Sequence, residues 1–194
     1  MSIDDERVLF YLRHHDRIEE WAALRSDVAR SMDDWLIKLR PDVERLASEL
    51  GADVDVLAVI GDEDDYPTFR LARRIWPADA GGPTASIALE WVRRKTTMHN
   101  GYVPYVGLRS AKTESISAAL RQSEGLRAVK LGRKEKSTDW WVALAYILPG
   151  STFDNSANDY REGLLRALRG AWTAYAPFID DVVRGMTSHV SFKT

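Results

Sequence analysis

The residues best able to do chemistry are a set of carboxylates with a lysine nearby. Asp62, Asp64 and Asp65 lie in one acidic turn, and Glu90 and Lys95 follow later in the chain. A metal-dependent nuclease needs two or three carboxylates to hold magnesium, plus a lysine to orient water or stabilise developing charge. Asp62, Asp64, Glu90 and Lys95 supply those residue types, with magnesium as the implied cofactor. Their spacing argues against the reading. Glu90 is followed by Trp91-Val92, and on a strand Arg94 shares its face while Lys95 points away. Arginine does not give up a proton and replaces that lysine poorly. Asp62-x-Asp64 does not open an EF-hand either, because the twelfth position is Arg73. The leading reading therefore has no catalytic residue, no metal and no cofactor, and leans away from an enzyme.

The second candidate is basic. Residues 1–65 hold 8 Lys and Arg against 18 Asp and Glu, a net of −10, whereas residues 66–136 hold 14 against 5, a net of +9. Residues 137–194 are close to balanced, and the whole chain carries −2. Arg70, Arg73, Arg74, Arg93, Arg94, Lys95 and Arg109 fall on runs that read as neighbouring strands. Alternation places Arg70 and Arg74 on one face, joined by Arg94 or by Arg93 and Lys95 according to register. Such a face neutralises phosphates, each contact adding to a salt-dependent affinity. Trp91, Tyr102 and Tyr105 sit among the charges as stacking residues. The competing reading is that the acidic N-terminal helices cover this face, with Glu19, Asp27 and Asp34 pairing its charges. Arg127 to Lys136 reads as a solvated basic turn.

Other chemistries find no support in the sequence. It has no cysteine, which removes disulfides, thiol nucleophiles and thiolate metal sites. His14 and His15 are adjacent and cannot share a helix face; His99 and His189 are isolated. There is no His-x-x-x-His pair, nucleophile elbow, P-loop or dinucleotide fingerprint. Trp140-Trp141 alternates across a strand, so one indole faces each side of the sheet. A Trp left uncovered would mark a partner-binding patch.

The stretch His15-Asp16-Arg17-Ile18-Glu19-Glu20-Trp21-Ala22-Ala23-Leu24-Arg25 resembles the opening helix of small bacterial proteins. Some of these are grouped loosely with PD-(D/E)XK nuclease-like proteins of phage and defence loci. The similarity extends more diffusely to Glu90-Trp91 and to Tyr105-Val106-Gly107. The nuclease Glu-x-Lys does not stand at Glu90. The resemblance therefore implies a shared genomic neighbourhood or a degenerate relative, without implying cleavage.

Positioning these residues requires elements, and the sequence predicts them in three blocks within one domain, 1–194. Residues 1–50 are helical. A short helix from Glu6 to His14 precedes a longer one capped at Asp16, and Pro41 breaks the latter near Leu39. Its apolar stripe runs through Ile18, Trp21, Val28, Met32, Trp35, Leu39, Val43 and Leu46. Residues 52–148 form the sheet. Strands are expected at Val54–Ile60, Thr68–Trp76, Ala85–Thr96 and Tyr102–Arg109, the last two joined at Asn100-Gly101. One short helix runs from Thr113 to Gly125, followed by strands at Leu126–Leu131 and Trp140–Leu148. Residues 154–187 are helices, with Tyr160, Leu164, Leu168, Ala171, Trp172 and Tyr175 inward and an interruption at Pro177.

The fold class is α+β: a mostly antiparallel sheet of about five to six strands flanked by long N- and C-terminal helices. No apolar run nears the roughly 20 residues that span a bilayer, and the acidic opening is unlike a leader, so the expected location is the cytoplasm. The function expected is a non-enzymatic binding or regulatory protein. Its basic strand face, Arg70, Arg74, Arg93, Arg94 and Arg109 with Trp91 and Tyr105, engages nucleic acid or an acidic partner protein. One alternative is the magnesium nuclease; another is a structural module that homodimerises through its N-terminal helix.

Overall fold

The structure is a computed structural model that describes residues 6–51, 56–61, 66–80, 82–91, 104–129, 131, 135–147 and 157–190. Helix α1 (Glu6–Ile37) and helix α2 (Arg40–Leu50) meet at Lys38-Leu39, because Pro41 is tolerated in the first turn of α2 but not inside a continuing helix. The break near Leu39 is where the sequence places it. The expected division at Asp16 is absent: α1 runs through it unbroken. Nothing between Glu6 and Arg40 is glycine or proline, and Asp16 stays on the helix surface with its carboxylate 3.2 Å from His15 Nδ1.

Strands β1 (Val56–Gly61), β2 (Thr68–Arg73), β5 (Ser86–Glu90), β6 (Tyr105–Arg109), β7 (Glu135–Lys136) and β8 (Trp141–Tyr146) form one sheet in the order β1-β2-β5-β6-β8-β7. Every pairing is antiparallel. Between β2 and β5 the chain forms a two-strand ribbon, β3 (Ala78–Asp79) with β4 (Gly82–Pro83). Helices α3 (Ser115–Gln122) and α4 (Glu124–Ala128) lie between β6 and β7, and α5 (Ala157–Val190) follows β8. The architecture is α+β, as the sequence predicts. Among the described residues no helix is long and apolar enough to cross a membrane.

Two expectations about the later elements are corrected. Residues from Leu126 form helix α4 where a strand was expected. Ser123 ends α3 and caps α4, its Oγ accepting from Leu126 N–H at 3.3 Å. Gly125 therefore sits inside a helix, where a Cβ would come within 2.8 Å of the Phe178 ring on α5. The glycine is needed for that close approach. Likewise α5 continues through Pro177. Both sides of the proline are anchored: Tyr175 and Ala176 before it and Ile179 and Val183 after it are buried. Asp180 accepts a hydrogen bond from Trp76 Nε1 at 2.8 Å and pairs with Arg73 at 3.0 Å. Tertiary contacts thus outweigh one lost backbone bond.

The core lies between one sheet face and the helices. Phe69 and Leu71 of β2, Ile87 and Leu89 of β5, and Val106 and Leu108 of β6 alternate onto this face. They meet Leu39 at the α1–α2 junction, Val43 and Leu46 of α2, and the α5 stripe Leu164, Leu168, Ala171 and Trp172, all buried. Each fully buried Leu contributes about 1.5–3 kcal/mol of transfer free energy. At the edge Asp42 of α2, 3 % exposed, pairs with Arg45 at 2.7 Å and receives Arg161 Nε of α5 at 2.8 Å. The Arg161 hydrogen bond, with Arg45 beside it, holds the Asp42 carboxyl below the usual carboxylate range.

Candidate functional site

Alternation sends a second set of residues to the sheet face turned away from α2 and α5. The register pairs Thr68 with Glu90 and Arg70 with Ala88 across β2 and β5. It pairs Glu90 with Tyr105, Ala88 with Gly107 and Ser86 with Arg109 across β5 and β6. Arg70, Glu90, Tyr105 and Arg109 therefore share one face around a floor of Ala88 and Gly107. Arg70 is 7 % exposed and Glu90 6 %.

A carboxylate this deep is kept only by partners. Tyr105 donates its hydroxyl hydrogen to Glu90 Oε1, and Arg109 Nε lies 3.6 Å from Glu90 Oε2. Burial first, then the adjacent Glu90 charge, pushes the Tyr105 phenol well above the ordinary tyrosine range. Tyr105 thus stays protonated and serves as a fixed donor. The ribbon β3–β4 closes over Arg70: Gly82 adopts φ +103°, a conformation open to glycine, and a Cβ there would lie 3.6 Å from Arg70 Nη2.

Next to this polar group is an aromatic one. The register slips between Leu108 and Arg109, so that Leu108 pairs with Ala143 and Arg109 with Trp141, leaving Val142 over as the extra residue of a bulge. The slip brings Trp141 onto the face of Tyr105 and Leu144, where strict alternation would have turned it away. Trp141 is 3 % exposed, its ring edge-on to Tyr105 at 5.2 Å, and Tyr146 meets Tyr105 at 5.8 Å.

Trp140, by contrast, is 60 % exposed, with Arg109 Cζ 5.8 Å from its ring centroid. Neither indole goes under the helices, so the expectation of one Trp on each side is corrected. Arg121 of α3 holds the turn that carries them. Its guanidinium donates to Ser137 Oγ at 2.7 Å, to Thr138 O at 2.7 Å and to Trp141 O at 3.1 Å. Thr138 Oγ1 in turn accepts from the backbone N–H of Trp140 and Trp141 at 3.3 and 3.2 Å. Ser110 N–H donates to Trp140 O at 3.1 Å. Trp140 is thus presented by a braced turn.

The other sequence-derived residues go elsewhere. Trp91 is 1 % exposed in the main core, tilted against Phe69 at 5.3 Å, and its Nε1 donates to Asp33 Oδ1 at 2.8 Å. Its ring faces are taken, which corrects its placement as a stacking residue. Strand β2 ends at Arg73, so Arg74 lies exposed in the following turn and leaves the face of Arg70; Ile75 is 72 % exposed. Arg73 is on the helix side, with Asp180 and, at 5.7 Å, the Trp172 ring as neighbours. Glu19, Asp27 and Asp34 of α1 are exposed. Among the described residues, Arg73 is paired by Asp180 of α5, Arg109 by Glu90, and Arg70 lies beside the ribbon. Arg93, Arg94, Lys95, Asp62, Asp64 and the Asn100-Gly101 turn lie outside the described residues. Among the described residues no group of three or more His, Asp and Glu is arranged to hold a metal ion. Arg121 and Tyr146 were missed, because their roles depend on pairings between segments far apart in sequence. No protein family, curated protein or solved structure matches the chain.

Proposed function

We propose that the protein is a non-enzymatic binding protein whose basic and aromatic sheet face engages an anionic partner, nucleic acid or an acidic protein surface. The observation that carries this is the exposed Trp140 indole beside the Arg109 guanidinium, on a turn braced by Arg121. An exposed indole with a cation over its ring offers a stacking surface and a phosphate or carboxylate contact together. Arg109 supplies the cation beside the indole. The cytoplasm is the proposed location, and no cofactor is needed.

The test is fluorescence anisotropy of labelled single- and double-stranded DNA and RNA, titrated with the protein at 50 and 200 mM salt. Binding weakens steeply with salt as neutralised phosphates regain their counterions. Replacing Trp140 by Ala lowers affinity by roughly 5- to 150-fold, the worth of one base–aromatic stack, and Arg109→Glu lowers it further. No binding at either salt directs the search to an acidic protein partner.

A further inference from the structure

Three guanidinium groups are linked to the turn that presents Trp140. Arg109 Cζ lies 5.8 Å from the indole centroid. Arg121 reaches the turn from α3, and its own carbonyl holds the third. Arg127 of α4 donates to Arg121 O from Nε at 3.1 Å and from Nη2 at 2.9 Å. One series of contacts therefore joins the turn to α3 and α3 to α4.

These groups are held differently from arginines elsewhere in the fold. Asp42 takes Arg45 and Arg161, Glu49 takes Arg169, and Asp180 takes Arg73. Arg121 and Arg127 meet hydroxyl and carbonyl oxygens instead. Among the described residues no carboxylate pairs with either, Glu124 of α4 included. A neutral acceptor fixes a guanidinium and leaves its charge in place. Arg127 is exposed, and its Nη1 meets no acceptor among the described residues. Neither Nη of Arg109 meets one, while its Nε is buried 3.6 Å from Glu90. Residues 109–140 hold 8 Lys and Arg against 4 Asp and Glu.

We infer that this series is a track for single-stranded nucleic acid. One unpaired base stacks on Trp140, phosphates lie against Arg109 and Arg127, and Arg121 joins the two ends. This rests on the proposed role of the Trp140 and Arg109 face and narrows its partner to one class. Nucleic acid carries a flat ring and an anion in every residue, which matches an exposed indole followed by guanidinium groups. An acidic peptide satisfies the cations but brings no ring to the indole. A duplex keeps its base faces stacked inside, so a single strand is the form that offers one to Trp140.

The experiment is fluorescence anisotropy of a labelled oligothymidylate, a blunt DNA duplex and a polyglutamate peptide, each titrated with the full chain across a salt series. Trp140→Ala is expected to weaken oligothymidylate binding by roughly 5- to 150-fold, the effect of one base–aromatic stack, and to leave any duplex binding unchanged. Arg127→Gln, at an exposed position, keeps its circular dichroism. It is expected to lower the slope of log affinity against log salt by about 0.7, the share of one phosphate on a single strand. An unchanged slope overturns the track, while the Trp140 and Arg109 face keeps its proposed role. An equal loss for duplex and single strand in Trp140→Ala also overturns it. Binding of polyglutamate and of neither DNA overturns the inference and leaves an acidic protein as the partner of that face. Binding of no probe, or Trp140→Ala without effect on any of them, overturns the proposed role of the face and the inference with it.

Discussion

The two long helices are nearly equal in length, 32 residues for α1 and 34 for α5, yet they meet opposite fates. Helix α5 buries a stripe from Tyr160 to Val183 against β5, β6 and α3, and its course survives an internal proline. Helix α1 has no internal proline, and among its described side chains those that are buried lie near its C-terminal end. The difference teaches that helix formation here is a local matter, whereas anchoring is decided by what the rest of the chain offers to the apolar face. Residues in the footprint of α5 carry stability, and those beyond it are available for partners.

Substitutions test this contrast as a gradient from α5 outward. Leu168→Ala, at the fully buried centre of α5, is expected to cost about 3–4 kcal/mol by lost transfer and residual cavity, measured by urea denaturation. Asp42→Asn, which weakens the tie between α2 and α5, is expected to cost about 2 kcal/mol at neutral pH. Because the folded Asp42 pKa is depressed, its contribution is complete above the unfolded value of about 3.9. It is lost as pH falls through the lower folded value, so wild type loses stability on acidification below about pH 4 more steeply than Asp42→Asn. Unfolding curves at pH 7, 4 and 3 check the sign.

On the far face, Tyr105→Phe removes the donor from buried Glu90 and is expected to cost about 1.5 kcal/mol. A tyrosine absorbance titration should also show one fewer phenol resisting ionisation at high pH. Smallest of all, Trp140→Ala is expected to change monomer stability by less than about 0.5 kcal/mol, while still weakening ligand binding. A large loss of stability there would turn the exposed indole into a structural element and end the distinction between the two regions.

Legibility followed the same division. The break before Pro41, the inward face of α5 and the alternation in β2, β5 and β6 were readable because each is set by local geometry and period. Helix α4 was misread as a strand: a run as short as Leu126–Leu131 has no period long enough to separate the two, and its contact with Phe178 is tertiary. In the candidate site, Glu90, Tyr105 and Arg109 were each singled out, but under different chemistries. What unites them is the register of β5 with β6, a pairing that no local signal in either strand announces. The placement of Trp141 depended on one residue of slip, which reverses every later side chain. Arg121 gave no signal of its role, since its acceptors in the Trp140 turn are 16 to 20 residues away and mostly backbone carbonyls.

The order of elements along the chain also bears on how the protein is made. Helix α2 is synthesised before the strands it covers, so β1 and β2 emerge to a waiting partner. The cover for β5 and β6 is α5, which comes off the ribosome after every strand of the sheet. At about 5–20 residues per second, the apolar side of the central strands stays bare for on the order of several seconds. During that interval Ile87, Leu89, Val106 and Leu108 form a sticky nascent surface. The growing chain should therefore recruit holding chaperones late in its synthesis, and release them once α5 has docked.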